Sequence, residues 1–337
     1  SFSYTAPVLS VTFSPDGKMA LTGNSDGTAL VWEVANGQVL HTLTSQVDQV
    51  YQISSLTFSP DGTTLLAGDN FDHFDLWTVA TGKRLHSFDH IDCAVFSPDG
   101  RMVLTGSNFD GTVQLWDIAS GQMLRTLSGH TNKIWSMAFS PDGKTVLTGS
   151  SDTTARLWDV TNKTLSHTFT HTAQVMSVAF SPDGKTALTV SYDNVAQVWD
   201  VATGRLLNRL EGSLGAPQTG IWNQTQTVPV FHHDGELLAF LAEPQDSPPS
   251  LVLWDTALGK MHSSIRATRG VGFGQPVFSP DGNRLLICGN QLWIWDWRIG
   301  KELYALPAPR GLAVSPDGVT IATAGWNPSL SIAKALP

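Results

Sequence analysis

The chain is poor in cysteine and has no long apolar run. Its 2 cysteines among 337 residues, Cys93 and Cys288, fall at unequal places in the sequence. No disulfide framework is therefore indicated, and buried free thiols are expected. No stretch approaches the ~20 apolar residues that span a bilayer, and no charged-then-apolar leader begins at Ser1. We expect no direct membrane insertion and a cytoplasmic location, with processing or export of a longer chain left open.

Charge is also scarce. Charged residues make up 15% of the chain, and 20 Lys and Arg against 29 Asp and Glu give a net charge of −9. Since no basic run is present that could neutralise a phosphate backbone, nucleic acid is not an expected partner. The sequence also has no glycine-rich phosphate loop, no nucleophile elbow and no paired carboxylates outside repeated positions. We therefore predict neither an enzyme nor a cofactor.

A five-residue phrase, Phe-Ser-Pro-Asp-Gly, recurs along the whole chain. Six copies are intact and two are degenerate, and successive copies start 36 to 51 residues apart. The copies are Phe13–Gly17, Phe58–Gly62, Phe96–Gly100, Phe139–Gly143, Phe180–Gly184, Phe231–Gly235, Phe278–Gly282 and Val314–Gly318. A period of this length is typical of four-stranded propeller blades rather than of helical repeats.

The unit from Ile134 to Thr170 shows what each repeat predicts. Alternation over Ile134–Phe139 indicates a strand, and Ser140–Gly143 supplies a hairpin turn in which glycine takes the left-handed conformation. Three more strands complete an antiparallel meander, and the third carries a tryptophan at a fixed place in seven repeats. These are Trp32, Trp77, Trp116, Trp158, Trp199, Trp254 and Trp295. Because one meander cannot bury both faces, we expect blades to stack around an axis with the indoles between them.

Trp-Asp at the end of the third strand, Gly129-His130 before the first strand and the Ser150–Asp152 turn resemble the WD-repeat β-propeller family. The resemblance implies one all-β domain over residues 1–337, a single eight-bladed propeller of four-stranded antiparallel blades. The chain ends soon after the third strand of the eighth repeat, near Leu330–Ala333, while Phe2–Thr5 stands where a fourth strand belongs. We expect the N-terminal strand to complete the last blade and so remove the free edges.

The resemblance also implies a hydrogen-bonded set of His, Ser, Asp and Trp inside a blade. The set is complete in two repeats, and a third resembles it although the loop after its histidine is short. The complete sets are His130, Ser150, Asp152, Trp158 and His171, Ser191, Asp193, Trp199; the third is His90, Ser107, Asp110, Trp116. We interpret these residues as structural.

Three polar groups suggest chemistry, and in each the structural interpretation is favoured. His86, His90 and Cys93 crowd a segment that also holds two aspartates, yet both histidines stand at repeat positions, so no metal site is predicted. The aspartates at 69, 72 and 75 crowd one turn that calcium would suit, but a solvated turn is favoured. His232-His233 replaces Ser-Pro in one hairpin, which indicates a degenerate turn.

Two functions remain open on the sequence alone. The family resemblance implies a non-catalytic scaffold, one subunit or domain of a larger assembly, that holds one or more partner proteins on its upper face and loops. On that face we expect a protein-binding patch formed by Phe71, Phe109, Trp135, Met176 and Tyr192. The alternative is a propeller enzyme or a small-ligand-binding protein, with a site in the central channel or under the insertion Glu243–Ser250.

Overall fold

The fold was analysed in a computed structural model of the chain. The structure describes residues 2–3, 6–44, 52–69, 72–162, 164–193, 195–210, 230–242, 250–256, 260–266, 273–289, 291–307, 311–324 and 329–334. All regular elements in these residues are strands, grouped into eight antiparallel sheets of four strands each. We call the sheets blades one to eight in chain order.

The first four blades use strands β1 to β17, where β1 is the short segment Phe2–Ser3. Blade one contains β2 (Val8–Phe13), β3 (Met19–Asn24), β4 (Thr28–Glu33) and β5 (Val39–Thr44). Blade two contains β6 (Ile53–Phe58), β7 (Thr64–Asp69), β8 (His73–Thr78) and β9 (Arg84–Asp89). Blade three contains β10 (Ile91–Phe96), β11 (Met102–Ser107), β12 (Val113–Asp117) and β13 (Met123–Leu127). Blade four contains β14 (Ile134–Phe139), β15 (Thr145–Ser150), β16 (Thr154–Asp159) and β17 (Thr164–Thr170).

The remaining blades follow the same order. Blade five contains β18 (Val175–Phe180), β19 (Thr186–Ser191), β20 (Ala196–Asp200) and β21 (Leu206–Leu210). Blade six contains β22 (Val230–Phe231), β23 (Leu237–Ala242), β24 (Ser250–Asp255) and β25 (Lys260–Arg266). Blade seven contains β26 (Phe273–Phe278), β27 (Leu285–Gly289), β28 (Gln291–Asp296) and β29 (Lys301–Pro307). Blade eight contains β30 (Gly311–Val314), β31 (Thr320–Ala324), β32 (Ser329–Lys334) and β1.

The blades are not all built in the same way. Seven of the sheets consist of four consecutive strands. In the eighth, β1 from the start of the chain pairs with β32, with Phe2 opposite Leu330 and Ser3 opposite Ser329. The predicted eight-bladed propeller is therefore corrected: the chain forms seven blades from consecutive strands, and the remaining sheet is a composite of strands from the two ends of the sequence.

The recurring five-residue phrase forms the hairpin turn between the first two strands of a blade. In blade four the Ser140 hydroxyl donates to Asp142 Oδ1 at 2.6 Å, and the Gly143 amide donates to the Ser140 carbonyl at 2.9 Å. Gly143 has φ +70, a conformation that side-chain-bearing residues rarely adopt. The hydrogen bond from Ser140 is the main reason that the pKa of Asp142 lies below its usual range. These interactions fix the turn, and the face of the disc that carries it is called the lower face.

The buried apolar side chains form separate clusters between neighbouring blades rather than one central core. Eight clusters of buried apolar side chains are found in the described residues, one at each boundary between neighbouring blades. The last closes the ring, because Ala322 of blade eight packs with Phe13, Ala20 and Trp32 of blade one. Each of the seven repeated tryptophans packs at the boundary with the preceding blade. This confirms that the indoles fill the space between blades.

Two further features of the described residues concern membrane-spanning helices and cysteine. Across the described residues, no helix has the length and apolar character required to cross a membrane. Cys93 is a free cysteine, as expected, although the residue is half-buried rather than buried; its thiol lies 3.8 Å from the carbonyl oxygen of Ile134. Its apolar surroundings nevertheless raise the pKa of the thiol. The Cys288 side chain lies outside the described part of the chain.

Candidate functional site

The upper face of the disc carries the turns between second and third strands and the loops between blades. The first strand of a blade reaches this face with an irregularity in its pairing, which leaves one extra residue near the strand's start. In blades one to five the extra residues are Leu9, Ser54, Asp92, Trp135 and Met176, and all are half-buried. Because a bulge turns a side chain away from the regular pleat, it presents these residues at the upper face.

Trp135 is held in place by two neighbours. Its indole N–H donates to the Ser151 hydroxyl at 2.7 Å, and the Lys133 ammonium lies 3.9 Å from the centre of its ring. Lys133 also forms an ion pair with Asp92 of blade three, with 2.7 Å between Nζ and Oδ2. Burial raises the pKa of Asp92 despite that ammonium, and Asp72 nearby adds to the increase. The indole is therefore presented in a fixed orientation beside a charge pair that links two blades.

The same line of contacts continues into blade five. The Ser151 hydroxyl lies 3.4 Å from Gln174 Oε1, and the Tyr192 amide donates to the Gln174 carbonyl at 2.8 Å. Tyr192 is 47% exposed, which leaves its ring available to a partner. A continuous path of contacts thus crosses the upper face from blade three to blade five. Its members are Asp92, Lys133, Trp135, Ser151, Gln174 and Tyr192.

The other predicted patch residues are placed differently. Phe109 is 68% exposed, and its ring meets the ring of His90 at 5.8 Å between centroids. In blades four and five the amides of Ser151 and Tyr192 donate to a carbonyl in the loop before the first strand. In blade three the amide of Asn108, not of Phe109, makes this bond, to the His90 carbonyl at 3.2 Å. Phe109 is thus the extra residue of a longer turn. Met176 is half-buried at its bulge, and Phe71 lies outside the described residues.

A buried hydrogen-bonded chain runs through blade four beneath this face. The Trp158 indole donates to Thr148 Oγ1 at 2.9 Å, Thr148 Oγ1 lies 2.8 Å from His130 Nε2, and His130 Nδ1 lies 2.8 Å from Asp152 Oδ2. Since an indole only donates, Thr148 can give its hydrogen to Nε2, and Nδ1 then donates to the carboxylate. This pattern requires a neutral imidazole, in agreement with burial lowering the pKa of His130 despite the opposing effect of Asp152.

Blade five repeats the arrangement with one more member. Trp199 donates to Thr189 Oγ1 at 2.8 Å, and Thr189 Oγ1 lies 2.7 Å from His171 Nε2. His171 Nδ1 lies 2.9 Å from Ser191 Oγ, and that hydroxyl donates to Asp193 Oδ1 at 2.5 Å. Burial lowers the pKa of His171 to about 4, so the ring is neutral at pH 7. The link between His171 and Asp193 is indirect here.

The threonine at the centre of each chain is the member that sequence reasoning missed. It accepts the tryptophan N–H in four blades, as Thr22 does for Trp32 at 3.0 Å and Thr105 does for Trp116 at 3.0 Å. Its signal was present, since it lies two residues before the serine of the set. Ser150 bonds to its set through Asp152 rather than through the histidine, because its hydroxyl donates to the Asn132 carbonyl at 2.9 Å and accepts from the Asp152 amide at 3.1 Å.

The predicted set in blade three does not form around its histidine. Trp116 donates to Thr105 as the corresponding tryptophan does in blades four and five, but the His90 side chain is exposed and its ring contacts Phe109. His90 is the single residue between β9 and β10, whereas His130 lies well before the start of β14. A loop this short, with His90 at φ +62, cannot carry the ring back under the turn.

In blades six and seven the threonine is absent and the indole is left unpaired. The N–H groups of Trp254 and Trp295 are buried and have no hydrogen-bond partner within the described residues. In blade seven the apolar residue Ile287 occupies the place of the threonine, opposite the tryptophan-bearing strand. An unpaired buried donor costs about 1–3 kcal/mol. The polar chains are therefore features of particular blades rather than of the whole ring.

His86, one of the residues considered for metal binding, packs between two blades. Within the described ranges, no group of three His, Cys, Asp or Glu side chains is arranged to hold a metal ion. The His86 ring packs where a Cβ on Gly121 of the next blade would lie, as His41 does at Gly82 and His167 at Gly204. The fourth-strand histidines therefore pack neighbouring blades together.

The aspartate-rich turn of blade two resolves into a polar cluster. Asp69 and Asp75 are buried beside His73, with Asp75 Oδ1 3.5 Å from His73 Nε2, while Asp72 takes a left-handed turn with φ +74.

The His232-His233 turn also has a structural role, because His232 Nδ1 lies 2.6 Å from Asp234 and Nε2 lies 3.0 Å from the Gly282 carbonyl.

Comparison with known proteins agrees with this architecture. A family model described as WD domain, G-beta repeat matches five segments that together cover more than half of the chain. The chain belongs to the WD-repeat family. The matched segments are residues 2–33, 37–73, 82–117, 121–159 and 163–200. These segments include every residue of the upper-face path and of the two histidine chains. The match confirms the family that the repeated motif predicted.

One curated relative is similar over part of the chain. Autophagy-related protein 16 of Arabidopsis thaliana is 27% identical over 131 residues, which is 39% of this chain. The aligned part covers 26% of that relative, so the chain spans about a quarter of its length.

Proposed function

We propose that the protein is a non-catalytic scaffold whose upper face over blades three to five binds a partner protein. WD-repeat propellers are typically interaction scaffolds, and the family membership supports that general role. The observation that carries the finer proposal is Trp135, which stands on a bulge, is fixed by Ser151 and Lys133, and has exposed aromatic residues to either side.

The chemistry of this face suits a protein rather than a small molecule. Aromatic and methionine side chains are enriched at the energetic centres of protein interfaces, and ordered ones lose little entropy on binding. Trp135, Met176, Tyr192 and Phe109 provide four such side chains, and the Asp92–Lys133 pair provides a polar rim. Phe71 remains a predicted member of this patch.

The test separates the two faces of the disc by crosslinking. A photo-crosslinking amino acid is placed at Tyr192 on the upper face or at Ile299 on the lower face, where Trp297 of the same turn bonds to Gly282. The proposal expects partner proteins to be captured from Tyr192 but not from Ile299. Capture only from Ile299 would contradict it.

Affinity for a captured partner then tests single side chains. Phe109 and Ile299 are both 68% exposed, so Phe109→Ala and Ile299→Ala form a matched pair on opposite faces. We expect Trp135→Ala to weaken binding about tenfold or more, Phe109→Ala to weaken it less, and Ile299→Ala to have no effect. Unchanged affinity in both upper-face variants, with circular dichroism showing intact folding, would refute the patch.

The cellular setting is also part of the proposal. We propose a cytoplasmic location and membership of a larger assembly. The similarity to a protein named for autophagy makes that process the first in which to seek the partner, although the similarity covers a quarter of that protein. The insertion Glu243–Ser250, suggested above as another binding site, lies outside the described residues except for Ser250. No observation in the described part favours a site in the central channel.

A further inference from the structure

Blade three contains a polar pocket that opens beside Phe109 on the upper face. Its volume is about 190 Å³, several times the ~30 Å³ that one water occupies in the liquid. Its lining residues are Asp89, His90, Ile91, Thr105, Ser107, Asp110, Thr112 and Gln114. Thr105 is fully buried at the base, while Asp89, His90 and Asp110 are exposed at the mouth.

The pocket corresponds to the place that an imidazole ring occupies in blade four. Strand pairing sets the equivalence, since Thr105 lies opposite Gln114 in blade three as Thr148 lies opposite Arg156 in blade four. By the same register Ser107, Asp110 and Thr112 correspond to Ser150, Asp152 and Thr154. In blade four, Thr148 and Asp152 bind the two nitrogens of His130 at 2.8 Å each.

The hydrogen-bonding groups of the pocket are held by the same kinds of bonds as their counterparts in blade four. Thr105 Oγ1 accepts the Trp116 indole N–H at 3.0 Å, as Thr148 accepts that of Trp158 at 2.9 Å. Asp110 Oδ1 accepts the Thr112 amide at 3.0 Å and hydroxyl at 2.8 Å. In blade four the same oxygen, Asp152 Oδ1, accepts the Thr154 amide and hydroxyl, and Oδ2 binds the ring.

The chain's own histidine at this place does not make those bonds. Neither His90 nitrogen has a hydrogen bond to Thr105 or Asp110 among the described contacts, and the ring lies against Phe109 at the mouth. Its backbone is tied by the Asn108 amide at 3.2 Å, which keeps the residue at the rim. A ring from outside the chain can therefore reach Thr105.

We propose that this pocket binds an imidazole group, which donates to Asp110 from one nitrogen and accepts the Thr105 hydroxyl at the other. The proposal goes beyond the scaffold role, because it concerns the purified chain and needs no partner protein. Two sources share the chemistry: a small imidazole compound, and the side chain of a histidine in a peptide segment. The hydrogen bond from Ser107 lowers the pKa of Asp110 and keeps it an acceptor at neutral pH.

The test follows the Trp116 indole N–H by nuclear magnetic resonance during titration with imidazole. Trp116→Phe identifies its signal among those of the 12 tryptophans. We expect that signal to shift saturably with a dissociation constant in the millimolar range, while the Trp32 signal of blade one stays unchanged. 1-Methylpyrrole, a ring of similar size without the donor and acceptor nitrogens, should leave both signals unchanged.

Two variants assign the bonds, with a matched control. Asp110→Asn leaves the Trp116–Thr105 bond intact, and we expect it to weaken imidazole binding about tenfold, the effect of ~1.4 kcal/mol. Thr105→Val should abolish binding, measured on the remaining signals around the pocket. Thr22→Val removes the equivalent threonine of blade one, and it should leave imidazole binding unchanged.

The two sources are distinguished by repeating the titration with N-acetyl-histidine methylamide. A shift with both compounds supports a histidine side chain as the ligand, and a shift with imidazole alone supports a small compound. The absence of a saturable Trp116 shift with either would refute the proposal. Binding that appears only after His90→Ala would also refute it, because the pocket would then belong to the chain's own ring.

Discussion

Blades three and four carry the same threonine, aspartate and tryptophan, yet one encloses a histidine and the other an open pocket. In blade four the His130 side chain is fully buried between Thr148 and Asp152. In blade three the corresponding groups line the pocket, and His90 lies exposed at its rim. The difference arises from the loop before the first strand, which is one residue long in blade three. Loop length, rather than residue type, thus decides whether the polar chain is complete.

The largest effect expected from this comparison is that of the central threonine. Thr148→Val leaves both the Trp158 N–H and His130 Nε2 without a partner, and we expect it to destabilise the fold by about 3–4 kcal/mol. Thr105→Val leaves only Trp116 unpaired and should cost about 1–2 kcal/mol. Urea unfolding measures both. Equal losses would show that the histidine adds nothing to the chain of bonds.

The second prediction concerns pH and the buried ring of blade five. The folded-state pKa of His171 is about 4, below its unfolded value of ~6.5, so the unfolded chain binds more protons between these values. Stability should therefore be fully present above pH 6.5 and fall by about 3 kcal/mol as the pH drops towards 4.

The histidines of blades three and five provide the control for that experiment. His171→Asn should remove most of the loss between pH 6.5 and 4 in urea unfolding curves, whereas His90→Asn, at an exposed position, should leave the loss unchanged. A His171→Asn variant with the same pH dependence as the natural chain would contradict the role of burial.

The third prediction compares the two histidines directly. His130→Ala leaves Thr148 and Asp152 without their shared partner and should cost about 1–3 kcal/mol. His90→Ala removes an exposed ring and should stay within about 0.5 kcal/mol. Thermal and urea unfolding both report the difference. Partner binding by the folded His130→Ala protein should be unchanged, since the ring does not reach the upper face.

The smallest effect is expected at the serines. The Ser150 hydroxyl donates to the Asn132 carbonyl and accepts from Asp152, so Ser150→Ala should cost about 1 kcal/mol. The partners of Ser107 are exposed: it accepts bonds of 3.2 Å from the amides of Phe109 and Asp110 and also bonds to the Asp110 carboxylate, so Ser107→Ala should cost about half as much. Larger losses for Ser107→Ala would show that the pocket is more ordered than this comparison suggests.

The sequence alone determined the repeat, the strand order and the place of the tryptophans. Each five-residue phrase contains its own serine, aspartate and glycine, so each hairpin turn forms from local bonds. The alternating pattern of each strand and the position of Trp158 then predict which side packs against the preceding blade. The exposed aromatic positions at Phe109 and Tyr192 were predictable for the same reason, because a turn gives them no packing role.

The features that depend on contacts between distant parts of the sequence were decided only by the tertiary structure. The pairing of β1 with β32 joins residues from the two ends of the chain, and the central role of Thr148 depends on two strands and a loop meeting in space. Sequence resemblance placed His90 with His130, but a one-residue loop cannot bring its ring to Thr105. Local bonds can be read along the chain, whereas the reach of a side chain depends on where the backbone of neighbouring strands holds it.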